Sequence, residues 1–385
     1  MSNTPTLLIV DDEPGIADLI SEVAEAIGFS ISVAHDGNAF HEAYRRLEPQ
    51  VIFLDLKLPG YDGVELLRFL GEQRSTATIF IASGSDPRTV AAARTVGKQY
   101  DLDMGRSLAK PLTVEDIEAA LTSHIKLGMR VRAEDVRRAI GNDEIQVHFQ
   151  PKVDLLETTG TRMTGVEALA RWALPDGGWV FPDQFIPVAR DAGLMHELTG
   201  VVAEKAFRAA RSWLDHGLDL AVSINLDGTM LDDRSLPDTL SNMAAKHGVP
   251  QSRITLEITE SAAMAAPVAT MDILTRFRLK DFNVSLDDFG TGYSSLVQLY
   301  RLPFNELKID KSFVMDIGVN SEAEIIVEIL ALLGKKLGLK VCAEGIENGV
   351  MLKHVQNSGC DLGQGYLFSK PVEAEMITVL ARRWT

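Results

Sequence analysis

Residues 283–296 read NVSLDDFGTGYSSL, an apolar strand that runs directly into two adjacent carboxylates, Asp287 and Asp288, and then into a glycine-rich turn. Asp-Phe-Gly also occurs in protein kinases. This chain, however, has neither a His-Arg-Asp catalytic loop nor a Gly-x-x-x-x-Gly-Lys-Ser/Thr phosphate loop. What the two carboxylates hold must therefore be worked out from the rest of the sequence.

Length and charge bound the class of protein. A chain of 385 residues exceeds one ordinary hydrophobic core, so we expect two domains. The formal net charge of −16 argues against a nucleic-acid polymer as partner. No apolar run is long enough to predict a membrane span. The first residues lack the basic region of a signal peptide, and Cys342 and Cys360 are the only cysteines, so we expect a cytoplasmic protein.

The first 122 residues alternate short apolar runs with amphipathic helical stretches. This alternation predicts a doubly wound α/β domain, with a parallel sheet covered by helices on both faces. Ligands of such sheets bind at the carboxyl ends of the strands. The predicted strands are TLLIV, ISVA, VIFLDL, TIFIAS and RSLAK.

Five polar residues fall at these strand ends. Asp11 and Asp12 follow the first strand, Asp55 lies at the end of the third, Ser83 ends the fourth, and Lys110 follows the fifth. Three converging carboxylates repel one another unless a divalent cation lies among them, and oxygen ligands suit Mg²⁺. A lysine and a hydroxyl opposite them would balance a phosphoryl group on one carboxylate.

The motifs VDDE, FLDLKLPGYDG, IAS and AKP resemble the receiver domain of two-component response regulators. The resemblance implies that Asp55 accepts a phosphoryl group from a sensor histidine kinase. It also implies that Asp11 and Asp12 bind one Mg²⁺ together with Asp55, and that Ser83 and Lys110 sense the phosphoryl group.

One receiver feature is missing, and a connector follows the domain. Receivers usually carry Tyr or Phe three residues before the lysine, where this chain has Ser107. Residues 123–140 are charged and helical in pattern, which predicts a connecting helix between the receiver and a second domain at 141–385.

From about residue 145 the alternation resumes with longer units. Repeated strands and helices over this length predict a (β/α)₈ TIM-type barrel, with an irregularity near its start. The predicted strands are IQVHFQPKVDL, TGVEALAR, LAVSINL, ITLEIT, NVSLDDF, ELKID, KVCAEGI and GQGYLF.

Each of seven predicted strands carries a polar residue in it or at its end. The active sites of such barrels lie at the carboxyl face, so these side chains are expected to converge. Four acids and an amide form an all-oxygen set that favours Mg²⁺ or Mn²⁺, and Asp288 beside Asp287 allows two ions to be bridged. The residues are Glu167, Asn225, Glu257, Asp287, Lys308, Glu344 and Gln364.

The motifs EALARW, SINL, LEITES, LDDFGTGYSSL, LKIDKSF, AEGIE and QGYLFSKP are similar to those of EAL-domain phosphodiesterases and extend over residues 135–385. This family hydrolyses cyclic di-GMP to linear pGpG through two divalent metals bound on a barrel. Its members often act as dimers or larger assemblies, so the resemblance implies a homodimer or a higher homo-oligomer.

The resemblance also implies roles for individual residues. Metal ligands would be Glu167, Asn225, Glu257, Asp287, Asp288 and Glu344. Catalysis would use Glu344 as general base, assisted by Lys308 and Gln364. Substrate contacts would be Gln150, Leu169, Arg171 and Asp310, and Glu260 and Glu347 would order the loop after Asp288.

Two other classes of function stay open at this point. A non-catalytic module could bind cyclic di-GMP or a protein partner through the same barrel, although a pure sensor need not keep Glu344 or Lys308. A DNA-binding output would need a helix-turn-helix segment and a basic surface, and the sequence has neither.

Overall fold

The chain folds into two compact units, Met1–Arg130 and Val131–Thr385. None of the helices described is long and apolar enough to cross a membrane. The computed structural model describes residues 4–126, 131–156, 162–175, 177–291 and 296–382.

The first unit is built on a parallel sheet with strand order β2-β1-β3-β6-β7, and β8 also pairs with the end of β6. A separate antiparallel hairpin is formed by β4 and β5. The strands are β1 Thr6–Val10, β2 Ser30–Ala34, β3 Val51–Leu54, β4 Lys57–Leu58, β5 Tyr61–Asp62, β6 Thr78–Ser83, β7 Asp103–Met104 and β8 Leu108–Ala109. The helices are α1 Pro14–Ile27, α2 Gly37–Leu47, α3 Gly63–Glu72, α4 Pro87–Gln99 and α5 Val114–Lys126.

Helices cover both faces of this sheet, as the sequence predicts. Successive residues of a strand point to opposite faces. Leu7 and Ile9 therefore belong to a core shared with α1 and α5, whereas Leu8 and Val10 belong to a second core shared with α2, α3 and α4. The doubly wound α/β prediction is confirmed. The predicted fifth strand is shorter than RSLAK, since only Leu108–Ala109 pairs.

The second unit is a closed barrel. Its strands are β9 Ile145–Asp154, β10 Arg162–Ala173, β11 Trp179–Val180, β12 Ala221–Asn225, β13 Ile254–Thr259, β14 Asn283–Phe289, β15 Glu306–Ile309, β16 Lys340–Ala343 and β17 Leu362–Gly363. The order β10-β12-β13-β14-β15-β16-β17-β9 closes through pairing of β9 with β10, which makes eight barrel strands, and β11 extends β10 outside the ring. Because β9 is antiparallel to both of its neighbours, the predicted irregularity lies at the first strand.

Helices follow most of the barrel strands. Short 3₁₀ turns cover Gly228–Met230 and Gln251–Arg253. The helices are α6 Ala133–Gly141, α7 Pro182–Asp191, α8 Met195–Asp215, α9 Leu236–His247, α10 Glu260–Ala265, α11 Pro267–Leu279, α12 Leu296–Arg301, α13 Lys311–Met315, α14 Ser321–Lys336, α15 Gly349–Ser358 and α16 Ala374–Ala381.

The predicted connecting helix at 123–140 coincides with parts of two helices. Helix α5 ends at Lys126, and α6 begins at Ala133 and packs against α7 and α8 of the barrel unit. Residues 127–130 of the predicted connector lie outside the described residues. The later part of the predicted connector therefore contributes to the barrel unit.

Barrel strands alternate between outward apolar and inward polar residues. On β13, for example, Leu256 and Ile258 belong to the hydrophobic core outside the ring, and Glu257 between them reaches the interior. Period-2 alternation of this kind sends consecutive side chains to opposite faces. The interior of the barrel is therefore lined by polar groups whose charges must be compensated inside the ring.

Candidate functional site

A cluster of charged groups lies at the carboxyl ends of the strands of the first unit. Lys110 Nζ lies 2.6 Å from Asp55 Oδ2, 3.0 Å from Asp11 Oδ2 and 2.9 Å from Glu13 Oε1. Ser83 Oγ donates to Asp55 Oδ1 at 3.0 Å. The sequence-predicted residues therefore meet at one site, and Glu13 is an additional member that the strand-end argument did not single out.

Burial and pairing shape the protonation of this cluster. Burial raises the pKa of Asp11, although the Glu13 backbone and Lys110 act in the opposite direction. Burial also opposes the charge of Lys110, but its hydrogen bonds to Asp55, Glu13 and Asp11 outweigh this and raise its pKa. Asp11, Asp12 and Asp55 each offer an oxygen within 4.8 Å of the others. This oxygen set fits one hard divalent cation such as Mg²⁺.

The seven strand-end residues predicted in the barrel are brought together at one mouth. Glu167 lies within β10, Asn225 ends β12, and Glu257 lies within β13. Asp287 lies near the end of β14, and Lys308 lies within β15. Glu344 and Gln364 directly follow β16 and β17. All but Asn225 and Glu344 are fully or almost fully buried.

Lys308 is the central cation of this mouth. Its ammonium nitrogen lies 2.6 Å from Glu344 Oε1, 2.7 Å from Glu257 Oε2, 3.1 Å from Asp287 Oδ1 and 3.4 Å from Glu167 Oε2. Only 1% of the Lys308 side chain is exposed, so these carboxylates replace its hydration shell. Burial opposes its charge, but the surrounding acids keep its pKa well above the ordinary lysine value.

An amide network orients one of these acids. Gln364 Nε2 donates to Glu167 Oε2 at 2.7 Å and to Gln150 Oε1 at 2.9 Å. Asn225 Nδ2 donates to Glu167 Oε1 at 2.9 Å. Both Glu167 oxygens therefore accept hydrogen bonds from side chains of other strands.

An irregularity in β14 explains how neighbouring carboxylates serve the same site. Consecutive strand residues normally point to opposite faces. The pairing of β14 with β15 shifts register between Leu286 and Phe289, and Asp288 adopts a left-handed backbone conformation with φ of 54°. Bulges of this kind re-aim side chains. As a result, Asp287, Asp288 and Glu344 each present an oxygen within 4.8 Å of the others.

Two carboxyl groups at the mouth, Asp288 and Glu344, have raised pKa values. Burial, with the charges of Asp287 and Asp310, raises the pKa of Asp288 to about 6. Burial, with the charges of Asp287 and Glu167, raises the pKa of Glu344 to about 8 even though Lys308 opposes the shift. Acids whose pKa values are shifted towards neutral pH by burial and neighbouring charges are typical of functional sites.

The loop after β14 begins with a hydrogen bond from its backbone to a glutamate side chain. The backbone N–H of Gly290 donates to Glu260 Oε2 at 2.9 Å, and Gly290 has φ of 101°, which disfavours any residue with a side chain. Residues 292–295 of this loop lie outside the described residues. With the described residues, the exposed Glu347 carboxylate makes no hydrogen bond or ion pair, so its loop-ordering role stays a prediction.

The predicted substrate-contacting residues surround the mouth. Gln150 bonds Gln364, Arg171 is half-buried near Glu167 and Tyr366, and Asp310 caps α13 through Ser312 N at 2.9 Å. Leu169 lines a cavity of about 590 Å³. The cavity reaches Asn225 and has mainly apolar walls from α7, α8 and the ends of β10 and β12.

Two interior charges were not predicted. Lys152 on β9 lies 2.6 Å from Glu257 Oε1 and 2.9 Å from Glu306 Oε1 on β15. Both side chains are nearly buried. The only sequence signal for each was a charged residue within an apolar strand. Such a residue can point into the barrel or towards solvent, and the sequence does not show which.

The donor set at the mouth fits divalent cations. Every candidate ligand offers oxygen, and the acids outnumber the one central lysine, so cations such as Mg²⁺ or Mn²⁺ match both the chemistry and the charge. Cysteine and histidine ligands, which zinc prefers, are absent from the predicted set. The chain thus has two acidic sites, the cluster of Asp11, Asp12 and Asp55 in the first unit and the acid-rich mouth of the barrel.

Comparison with known families identifies this class. Residues 7–122 match the response regulator receiver domain, and residues 133–371 match the EAL domain. The chain belongs to the EAL-domain family and carries a receiver domain before the barrel.

Individual relatives match this chain over different lengths. The cyclic di-GMP phosphodiesterase RocR of Pseudomonas aeruginosa is 28% identical over 96% of this chain and 97% of its own length. The bifunctional diguanylate cyclase/cyclic di-GMP phosphodiesterase MucR of the same organism is 38% identical, but the chain spans only 35% of it. A solved structure of the MucR phosphodiesterase in complex with c-di-GMP covers 63% of this chain with a TM-score of 0.60.

Replacing the central lysine tests the electrostatics of the mouth. With divalent metal chelated, Lys308→Met should lower the free energy of unfolding of the barrel by about 3–5 kcal/mol, because buried carboxylates lose their partner. All four tryptophans lie after residue 131, so tryptophan fluorescence during urea unfolding follows the barrel. The exposed Lys336→Met is the matched control and should change stability by less than about 0.5 kcal/mol. Equal stabilities of the two variants would contradict the assigned role of Lys308.

Proposed function

We propose that this chain is a response regulator whose barrel hydrolyses cyclic di-GMP to linear pGpG. The observation that carries the proposal is the gathering of the strand-end acids and amides around Lys308 at one mouth of an EAL-family barrel. The similarity to RocR, which extends over nearly the whole of both chains, supports the same substrate.

We assign two divalent cations, Mg²⁺ or Mn²⁺, to the mouth. One would be held by Glu167, Asn225, Glu257 and Asp287. The second would be held by Asp287, Asp288 and Glu344, whose oxygens lie within 4.8 Å of one another. When bound, such ions supply Lewis-acid polarisation of a phosphodiester and of an attacking water.

The protein groups then divide the remaining work. Glu344 is the proposed general base, because it offers an oxygen within 4.8 Å of those of Asp287 and Asp288, at the proposed second ion that would supply the attacking water. Lys308 compensates the negative charge that accumulates on the phosphodiester. Gln364 fixes Glu167 through its amide N–H. Water adds across one P–O3′ bond, leaving a 3′-hydroxyl and a 5′-phosphate in the linear product.

Substrate recognition uses the rim of the same mouth. Arg171 supplies positive charge for a phosphate, and Gln150 and Asp310 supply polar contacts. Leu169 contributes to the cavity of about 590 Å³, whose mainly apolar walls suit the flat face of a nucleobase.

The receiver is proposed to control this activity through Asp55. A sensor histidine kinase would supply the phosphoryl group, and Asp11 and Asp12 would hold one Mg²⁺ with Asp55. Ser83 and Lys110, which already contact Asp55, would compensate the added charge. Ser107 cannot act as the usual aromatic switch, so the signal must pass by another movement, and a severalfold effect on turnover is expected.

We further propose a cytoplasmic location and self-association. Two free, buried cysteines suit a reducing compartment. Helix α14 exposes Ile325, Ile329 and Leu332 at the spacing of one helical face, an apolar stripe that a second copy of the chain could cover.

Neutralising one shared acid tests the catalytic proposal. Asp287→Asn should lower the rate of pGpG release by at least about 100-fold at saturating Mg²⁺, because an amide replaces the carboxylate proposed to serve both ions. Product is measured by chromatography of the reaction. Asp272→Asn, on the exposed face of α11, is the matched control and should retain full turnover. Near-normal hydrolysis by the Asp287 variant would overturn the metal assignment.

Removing the phosphoryl acceptor tests the regulatory proposal. Beryllofluoride should change the hydrolysis rate of the intact chain severalfold, and Asp55→Ala should abolish this response without changing the basal rate. Asp18→Ala, an exposed acid on α1, should respond like the unaltered chain. If protein confirmed to carry the phosphoryl mimic at Asp55 kept its original rate, the receiver would have to serve partner choice rather than control of turnover.

A further inference from the structure

Beneath the mouth lies a buried ion pair that the proposed hydrolysis does not use. Lys152 Nζ lies 2.9 Å from Glu306 Oε1, and only 4% of Lys152 and 8% of Glu306 is exposed. The same ammonium donates to Ser223 Oγ at 3.0 Å and to Glu257 Oε1 at 2.6 Å. Its shortest contact is therefore with a proposed metal ligand and not with Glu306.

These contacts cross the interior of the barrel. Lys152 belongs to β9, which pairs with β10 and β17 in the ring. Its partners lie on β12, β13 and β15, none of which neighbours β9. The lysine therefore connects β9 to three strands with which β9 shares no backbone hydrogen bonds.

The two carboxylate oxygens of Glu257 accept hydrogen bonds from two different ammonium groups. Lys308 holds Oε2 at 2.7 Å at the mouth, and Lys152 holds Oε1 at 2.6 Å. The terminal torsion of a glutamate is broad, so a carboxylate anchored through one oxygen can rotate. A second donor on the opposite oxygen fixes the plane of the group.

We propose that Lys152 is a positioning residue for metal binding, which holds Glu257 Oε1 so that Oε2 stays directed at the mouth. The inference rests on the proposed function, since Glu257 is there a metal ligand. Groups that orient metal ligands through such contacts typically change metal affinity by about 10- to 100-fold when removed. The competing explanation is that Lys152 only balances the charge of Glu306.

A double variant separates these explanations. Lys152→Met/Glu306→Gln removes the pair as a unit and leaves the net charge of the interior unchanged. Its barrel should unfold within a few degrees of the unaltered chain, because neither member of the pair is left without the other and Glu257 keeps Lys308 as a partner. Calorimetric titration of the intact chain with Mn²⁺ should nevertheless show about 10- to 100-fold weaker binding at the barrel mouth, with binding at the receiver acids unchanged. Glu306→Gln alone keeps Lys152 on Glu257 and should bind Mn²⁺ within about threefold of the unaltered chain.

Other outcomes overturn the inference. A double variant that binds Mn²⁺ as tightly as the unaltered chain would reduce Lys152 to a partner of Glu306. A double variant that stays unfolded at saturating Mn²⁺ would make the pair a requirement of the fold and not of metal positioning. If the unaltered chain itself bound no Mn²⁺ at the mouth, both this inference and the proposed metal-dependent hydrolysis would fail, whereas normal Mn²⁺ binding without hydrolysis would contradict the proposed function alone.

Discussion

The barrel mouth depends on the ammonium group of Lys308, which is surrounded by four carboxylates, three from other strands and one that directly follows a fourth strand. A buried charge without partners costs several kcal/mol, so neither the lysine nor the acids would be tolerated there alone. Because each acid comes from a different strand, the charges are compensated only when the ring closes in its native register. The charge compensation at the site therefore depends on closure of the barrel.

The same constraint organises the layer below. Lys152 enters from the antiparallel strand β9 and neutralises Glu306 while holding the far oxygen of Glu257. Its charge and that of Lys308 together outweigh burial and lower the pKa of Glu257 to about 2. Glu257 therefore stays a carboxylate, while burial and neighbouring acids raise the pKa values of Glu344 and Asp288 and make these two groups easier to protonate.

The acids in or directly after apolar strands could be predicted from the sequence, because this pattern recurs from strand to strand. An apolar run followed by an acid marks the carboxyl end of a strand, so Asp55, Glu257 and Asp287 could be placed without coordinates. Lys152 and Glu306 were missed because their contact, 154 residues apart in sequence, exists only after the ring closes. The strand predicted at GQGYLF, residues 363–368, was misplaced, since the observed strand is Leu362–Gly363 and the two share only Gly363. Gly365 then packs against the backbone of Ile346, where any Cβ would clash.

The central claim is that this acid-rich mouth catalyses a metal-dependent phosphodiester hydrolysis. The most direct measurement follows cyclic di-GMP and pGpG over time with the intact chain, first in EDTA and then after addition of excess Mg²⁺. The account predicts no pGpG in EDTA and steady release of pGpG once Mg²⁺ is added. Binding of cyclic di-GMP without turnover at any Mg²⁺ or Mn²⁺ concentration, or turnover that persists in EDTA, would contradict it.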